Sequence, residues 1–266
     1  MIIVGERLNS SRKEIYNAIE NRDAAFIRNE AVAQANAGAD YLDVNTGLFA
    51  SKEAEQMAWL IDIVQEATPL PICIDSPNPE VIRHVLPLVE KTPMVNSITL
   101  EKKRFEALIP LVIDRSCKVI GLCQNDAKAA HTSLEKTTMA SELIAEMKKA
   151  GVPEDHIYLD PLVFPLATDT NSAKATFHAV REIHETFPHL HLICGLTNVS
   201  YGLPKRKLIN RSFLTVAIVM GLDAAIVDPL DKKLMAALKA GILLDGRDPY
   251  ARGYIEAYRN GLFEHF

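Results

Sequence analysis

No stretch of this chain approaches the roughly 18 consecutive apolar residues that a membrane-spanning helix needs, so no membrane partner is expected. The start, Met1-Ile2-Ile3-Val4-Gly5-Glu6, has no basic leader and meets a charge too early for a signal peptide, which points to the cytoplasm. Basic residues are not in excess: a net charge of −5 argues against a nucleic-acid partner. Cysteine is scarce. The four, at 73, 117, 123 and 194, form no Cys-x-x-Cys pair and lie in or at the edge of apolar runs, as buried reduced thiols do. His191 and Cys194 are close in sequence, but strand residues three apart face opposite sides of a sheet, so no metal site is expected. A glycine-rich phosphate turn is missing too. The segment Gly5-Glu6-Arg7-Leu8-Asn9-Ser10-Ser11-Arg12 contains no Gly-x-Gly-x-x-Gly, which speaks against a doubly wound dinucleotide fold. No linker rich in proline, glycine or serine divides the chain, which therefore reads as one domain.

What the chain has in quantity is short apolar runs that end on a polar side chain. Eight occur: Ile2 to Glu6, Tyr41 to Asn45, Ile72 to Asp75, Met94 to Asn96, Val119 to Asn125, Ile157 to Asp160, Leu192 to Asn198 and Ala225 to Asp228. Their near-continuous hydrophobicity is that of strands buried on both faces, as in a parallel sheet. Helix-period segments follow them over 23–37, 52–67, 78–90, 101–115, 137–150, 172–186, 207–220 and 231–244. Asn78-Pro79 reads as an N-cap with proline at the first helical position, and Gly151 and Gly221 read as C-terminal caps. Eight strands alternating with eight helices predict an α/β (β/α)8 TIM barrel spanning 1–266. A C-terminal helical extension is expected over about 249–266. Its Tyr250, Tyr254, Ile255, Tyr258 and Leu262 make one stripe expected to pack on the barrel.

In such a barrel the strand ends converge on one face, so the polar endings form a ring. Any one of them also reads as a cap for the following helix. Asn78 and Asp231 supply that cap after Asp75 and Asp228, and Asp160 stands before Pro161 and a long loop. Asp75 and Asp160 are thereby left for another task, and Asn96 joins them. Glu6, Asp43, Asn45, Asn125 and Asp228 read equally as loop or strand supports. Two carboxylates and an amide suit a flat, neutral ring with adjacent N–H donors and a carbonyl acceptor. A carboxylate accepts two such donors side by side, and an asparagine both gives and accepts. A 2-amino-4-oxo pterin has that pattern; a purine has part of it.

Gly5-Glu6-Arg7-Leu8-Asn9, Leu42-Asp43-Val44-Asn45, Asp75-Ser76, Asn96-Ser97, Asp160-Pro161-Leu162, Gly195-Leu196-Thr197-Asn198-Val199-Ser200 and Leu208-Ile209-Asn210-Arg211-Ser212-Phe213-Leu214 follow in this order, with Gly221-Leu222-Asp223-Ala224-Ala225-Ile226 after them. Over nearly its whole length the chain resembles the methyltetrahydrofolate:corrinoid methyltransferases of the pterin-binding barrel superfamily. It is more distantly similar to the folate-binding domain of cobalamin-dependent methionine synthase. The resemblance implies a methyl group moved between N5 of tetrahydrofolate (as 5-methyltetrahydrofolate) and the cobalt of a corrinoid. It implies that Asp75, Asn96 and Asp160 hold the pterin ring. Asn198 reaches N5 from a motif that also contributes Gly195 and the Thr197 hydroxyl, and Tyr201 is expected to stack on the folate. The chain has no Asp-x-His-x-x-Gly cobalamin motif, so the cobalamin is expected on a separate corrinoid protein, and a homodimer is implied by the family. The cluster Lys205-Arg206-Lys207 with Arg211 reads either as a contact for the glutamate tail or an acidic partner, or as a solvated helix start. Two other functions are weighed against this one. A dihydropteroate synthase-like enzyme is disfavoured because the first loop lacks an Asp-Ser-Phe element. A non-catalytic pterin-binding subunit would not need an amide at N5.

Overall fold

The computed structural model describes residues 1–264. Eight parallel strands form one sheet in the order β7-β6-β5-β4-β3-β2-β1-β8. They are β1 (Ile2–Asn9), β2 (Tyr41–Asn45), β3 (Ile72–Asp75), β4 (Met94–Ile98), β5 (Lys118–Leu122), β6 (Ile157–Asp160), β7 (His191–Leu192) and β8 (Ala224–Val227). Around them lie α1 (Lys13–Glu20), α2 (Ala24–Asn36), α3 (Glu53–Ala67), α4 (Pro79–Val85), α5 (Lys102–Asp114), α6 (Ser133–Ala150), α7 (Ser172–Thr186), α8 (Arg206–Val219), α9 (Lys232–Leu244) and α10 (Arg252–Arg259). The remaining seam, between β7 and β8, is closed by fewer bonds. Asp223 N donates to Leu192 O at 3.2 Å and Ile226 N to Cys194 O at 3.1 Å, and Leu192 N donates to Asp223 Oδ1 at 2.8 Å. The architecture is the expected (β/α)8 barrel.

Side-chain alternation creates two cores. The outward residues of the strands pack with the inner stripes of the helices, among them Leu42, Ile74, Val95, Val119, Leu159 and Cys194. The inward residues fill the barrel: Val4, Cys73, Met94, Ile120, Tyr158, Ile193 and Ala224, with Tyr41, Leu122 and Ile226 above and below. A barrel of eight strands is just wide enough for side chains to fill it, so this apolar plug is a floor and ligands are confined to the strand ends. All four cysteines are buried and reduced. His191 has other company than a metal: its Nδ1 lies 2.7 Å from Asp223 Oδ2 and its ring stacks on Tyr158 at 4.5 Å.

Local chemistry explains the helix ends. Asn78 accepts from Glu80 N and Asp231 from Leu234 N, the caps read from the sequence. Gly221 takes φ +116, and a Cβ there would meet His184 at 2.6 Å. Two boundaries differ from the sequence reading, and one helix is added. Helix α4 ends at Val85, short of residue 90, because Pro87 has no N–H to give and its ring collides with the preceding turn. Helix α6 begins at Ser133, not 137, under a reciprocal cap of Thr132 and Glu135. Helix α1 breaks strict alternation, since two helices separate β1 from β2. The C-terminal stripe departs from expectation as well. Leu262 packs against the core as expected, but of the α10 residues only Ala257 is buried, Tyr250 and Tyr258 are exposed, and the Tyr254 ring lies against Phe263. Residues 265 and 266 of the expected extension lie outside the described residues. No helix among the described residues is long and apolar enough to cross a membrane.

Candidate active site

A cavity of about 830 Å³ opens at the C-terminal ends of the strands. That is within the span of small-molecule sites, which run to roughly 1,000 Å³. Its wall contains Asp75, Asn96, Gly195, Thr197 and Asn198 of the residues expected from sequence, joined by Glu6, Asp43 and Asn210. Register explains the grouping. Asp75 on β3 lies beside Asn96 on β4, and Asp43 on β2 pairs one step lower with Cys73. All three side chains therefore point inward from neighbouring strands. Asn45 Nδ2 donates to Asp75 Oδ2 at 2.8 Å, and Asn96 Nδ2 reaches Asp43 Oδ1 at 3.4 Å. Arg104 fixes the two strand ends together, donating through Nε to Ser97 O at 2.8 Å and through Nη2 to Ser76 O at 2.9 Å.

Asp160, buried at the end of β6, is not among the residues that line the cavity and sits behind Gly195. Leu162 N donates to its Oδ1 at 2.7 Å and Gly195 N to its Oδ2 at 3.1 Å. A Cβ on Gly195 would stand 3.6 Å from Asn198 Nδ2 and 4.0 Å from Asp160 Oδ2. The bare glycine thus lies where Asp160 and Asn198 approach each other, and any side chain would stand in the space between them. Asn198 belongs to a 3-10 turn, Leu196–Ser200. Arg206 steadies that turn, with Nε to Ser200 Oγ at 3.0 Å and Nη2 to Thr197 O at 2.7 Å. The Asn198 side-chain amide has no protein partner among the described residues and borders the cavity.

Burial sets the protonation of this wall. Asp43 is held well above the usual carboxylate range, first by desolvation and next by the nearby Asp75 charge. Asp75 is raised by desolvation, against the Asn45 hydrogen bond and the Arg104 charge. Burial pushes Asp160 up to about 6, opposed by its two backbone donors and by Lys136. Burial and Asp228 push Glu6 up to about 7, opposed by Arg12 and Arg206. A ligand that brings N–H donors to these oxygens replaces lost water, so the cost of the buried charges becomes binding energy.

The cavity is also lined by Asp228, Arg206 and Lys207, and the remaining residues singled out by sequence have contacts of their own. Tyr201, expected to stack on the ligand, is 67% exposed and does not line the cavity; its ring lies under the Arg206 guanidinium at 5.7 Å. Asp228 is engaged by Arg7 at 2.9 Å and Arg12 at 3.6 Å. Asn125 folds back on its own loop, accepting from Ala127 N and Lys128 N. Within the basic cluster, Lys207 and Arg211 share Asp231 at 3.4 and 3.0 Å. Asn210 stood in a quoted motif without being assigned a role, while Arg104 and Lys136 carry no motif that would have singled them out: each is one polar residue within a helix.

The family model described as pterin binding enzyme matches residues 5–228. The methylcorrinoid:tetrahydrofolate methyltransferase of Eubacterium limosum is 39% identical, over 98% of this chain and 97% of that protein. The methionine synthase of Mycobacterium tuberculosis is 28% identical over 85% of this chain, which spans only 20% of that larger protein. Among solved structures, the dihydropteroate synthase of Xanthomonas albilineans with 4-aminobenzoic acid superposes with a TM-score of 0.69 at 17% identity, covering 92% of this chain and 91% of that one. The Yersinia pestis dihydropteroate synthase gives 0.69 at 16% identity, over 92% and 93%. At such identities the likeness is one of fold. With a family model covering most of its length, and a relative matched almost end to end, this chain belongs to the pterin-binding enzymes.

Proposed function

We propose that the protein is a methyltransferase that moves a methyl group between N5 of tetrahydrofolate and the cobalt of a corrinoid held by a partner protein. The observation that carries this reading is the match to a methylcorrinoid:tetrahydrofolate methyltransferase over nearly the full length of both chains. The cavity is consistent with it. Asp75 and Asn96 present acceptors and a donor suited to the edge of a pterin, Asp160 stands buried behind Gly195, and the space of about 830 Å³ accepts that ring. The corrinoid supplies a cobalt(I) electron pair for the methyl carbon, or takes that pair back in the reverse direction. The carbon–nitrogen electrons remain on N5, and one proton must reach that nitrogen.

The chain's own contribution is to hold the ring and to favour the charge that builds at N5. Asn198 is assigned to that atom: its amide is unengaged by protein and stands next to Asp160 across Gly195. A fixed dipole whose hydrogen bond strengthens in the transition state lowers the barrier. An amide is no useful acid, so the proton comes from solvent or from one of the protonatable carboxyls around it. The partner is a corrinoid protein docking over the barrel mouth. A homodimer and a cytoplasmic location complete the reading; light scattering and fractionation test these.

The decisive assay is methyl transfer with free cobalamin, run from 5-methyltetrahydrofolate to cob(I)alamin and from methylcobalamin to tetrahydrofolate. Turnover is expected in both directions, since a catalyst lowers both barriers. Asn198→Ala is expected to lose roughly 100- to 1,000-fold in kcat while binding tetrahydrofolate within a few-fold of the natural chain. Undiminished kcat would remove Asn198 from its role. Turnover of a pterin pyrophosphate with 4-aminobenzoate, and none of methyltetrahydrofolate, would overturn the whole reading.

A further inference from the structure

Lys136 is 0% exposed, one turn into α6, in a position where lysines normally reach water. Its Nζ donates to three main-chain carbonyls: Ala130 at 3.0 Å, Pro161 at 2.8 Å and Leu162 at 2.7 Å. Three donors meet three acceptors, so its hydrogen bonding is complete. Its charge is not matched in the same way, since no carboxylate among the described residues forms an ion pair with it. Phe164 covers the ammonium, ring centroid 5.2 Å away, and His131 stacks on the Phe164 ring at 4.0 Å. Of the acids around Lys136, Asp160 acts on it most and Asp169 in the β6–α7 loop less, while burial keeps the nearby thiols Cys123 and Cys194 neutral.

The turn that Lys136 holds is the one that aims Asp160. Leu162 has φ +64, a left-handed conformation uncommon for a residue with a side chain. Its carbonyl is held by Lys136 and by Thr176 Oγ1 at 2.9 Å, and its N–H donates to Asp160 Oδ1. Pinning the carbonyls of Pro161 and Leu162 therefore fixes the amide that orients the carboxylate.

We propose that Lys136 is a positioning residue for Asp160. Its ammonium pins the Pro161–Leu162 turn from below and gives the buried carboxylate a positive charge to face. The consequence for ligand binding rests on the assignment of Asp160 to the pterin; the consequence for Asp160 itself does not. Without the cation, the carboxylate keeps its backbone donors but loses the charge opposing its desolvation, and it takes up a proton at higher pH.

The test follows the carboxyl-carbon NMR signal of Asp160 against pH in the ligand-free protein, assigned by its disappearance in Asp160→Asn. In the natural chain the midpoint is expected at about 6. In Lys136→Met the midpoint is expected to rise by about one pH unit or more, and tetrahydrofolate binding at neutral pH to weaken about tenfold. Lys136→Arg keeps the charge and is expected to hold the midpoint near its natural value. Lys136→Gln keeps donors for the carbonyls without the charge, and it carries the same measurement if the methionine variant does not fold. An unchanged midpoint in the uncharged variants overturns the proposal. A shifted midpoint in a protein whose natural chain does not bind tetrahydrofolate upholds the role of Lys136 and overturns the functional reading instead.

Discussion

On one side of the barrel mouth, β2, β3 and β4 present Asp43, Asp75 and Asn96, which lean on one another and on Asn45. Across it, β8 and the start of α8 present Asp228, Arg206 and Lys207, each with a partner of opposite charge or a hydrogen-bonding group of its own. The first wall is buried at Asp43 and half-buried at Asp75 and Asn96, its acids pushed toward protonation. The second is more open and its charges are largely compensated. A wall of under-satisfied acceptors draws a ligand that brings N–H groups out of water. A compensated, solvated wall contributes little to that, and its cations hold loops such as the Leu196–Ser200 turn in shape. On the proposed reading, recognition belongs to the wall of β3 and β4, and β8 with the start of α8 acts as scaffolding.

The sharpest way to break this division is at Asp75. Asp75→Ala removes a carboxylate proposed to accept two charge-assisted hydrogen bonds, together about 3 kcal/mol. Tetrahydrofolate affinity measured by calorimetry is expected to fall at least roughly 100-fold. A loss of only a few-fold would move recognition off this wall.

A second effect concerns Glu6, between the two walls. Its pKa is raised from 4.5 to about 7. The folded protein therefore binds more protons than the unfolded chain between those values. Stability from this group is complete below about 4.5 and is lost as pH rises toward 7. Glu6→Gln removes the penalty. It is expected to stabilise the protein by roughly 2–3 kcal/mol above pH 7 and by little at pH 5, read from urea unfolding at the two pH values. An equal effect at both would show that Glu6 is ionised in the fold throughout.

The smallest change is expected on the solvated side. Tyr201→Ala deletes an exposed ring whose contact is Arg206. Ligand affinity is expected to stay within about twofold, since exposed cation–π contacts contribute about 0.5–1 kcal/mol and this one lies outside the cavity. A tenfold loss would extend recognition to the rim.

Much of this was legible in the sequence because it depends on local pattern. Continuous apolar runs such as Ile72-Cys73-Ile74 can be buried only with both faces covered, and the residue after each run has to emerge at the barrel mouth. The caps Asn78 and Asp231 follow from hydrogen-bonding groups two or three residues apart, so they too were readable. What escaped depends on contacts between distant residues. Whether the aromatic stripe of α10 meets the barrel is a matter of where that helix docks, and Tyr250 and Tyr258 remain exposed. Tyr201 follows Asn198 by three residues, yet the turn ending at Ser200 carries its ring outward to Arg206.

The sequence by itself determined the eight-fold alternation and the set of polar endings, since hydrophobic period and capping act over a few residues. Only the tertiary structure decided which endings cooperate. Asp75 and Asn96 are 21 positions apart and adjacent by register. Asp160 and Asn198, 38 positions apart, both lie within about 4 Å of the Cβ position of Gly195. Lys136, in α6, reaches the carbonyls of Pro161 and Leu162 in the turn that leaves β6. The physical reason is burial: a carboxylate changes its proton affinity according to what excludes water from it, and that is settled by the whole barrel rather than by its neighbours in the chain.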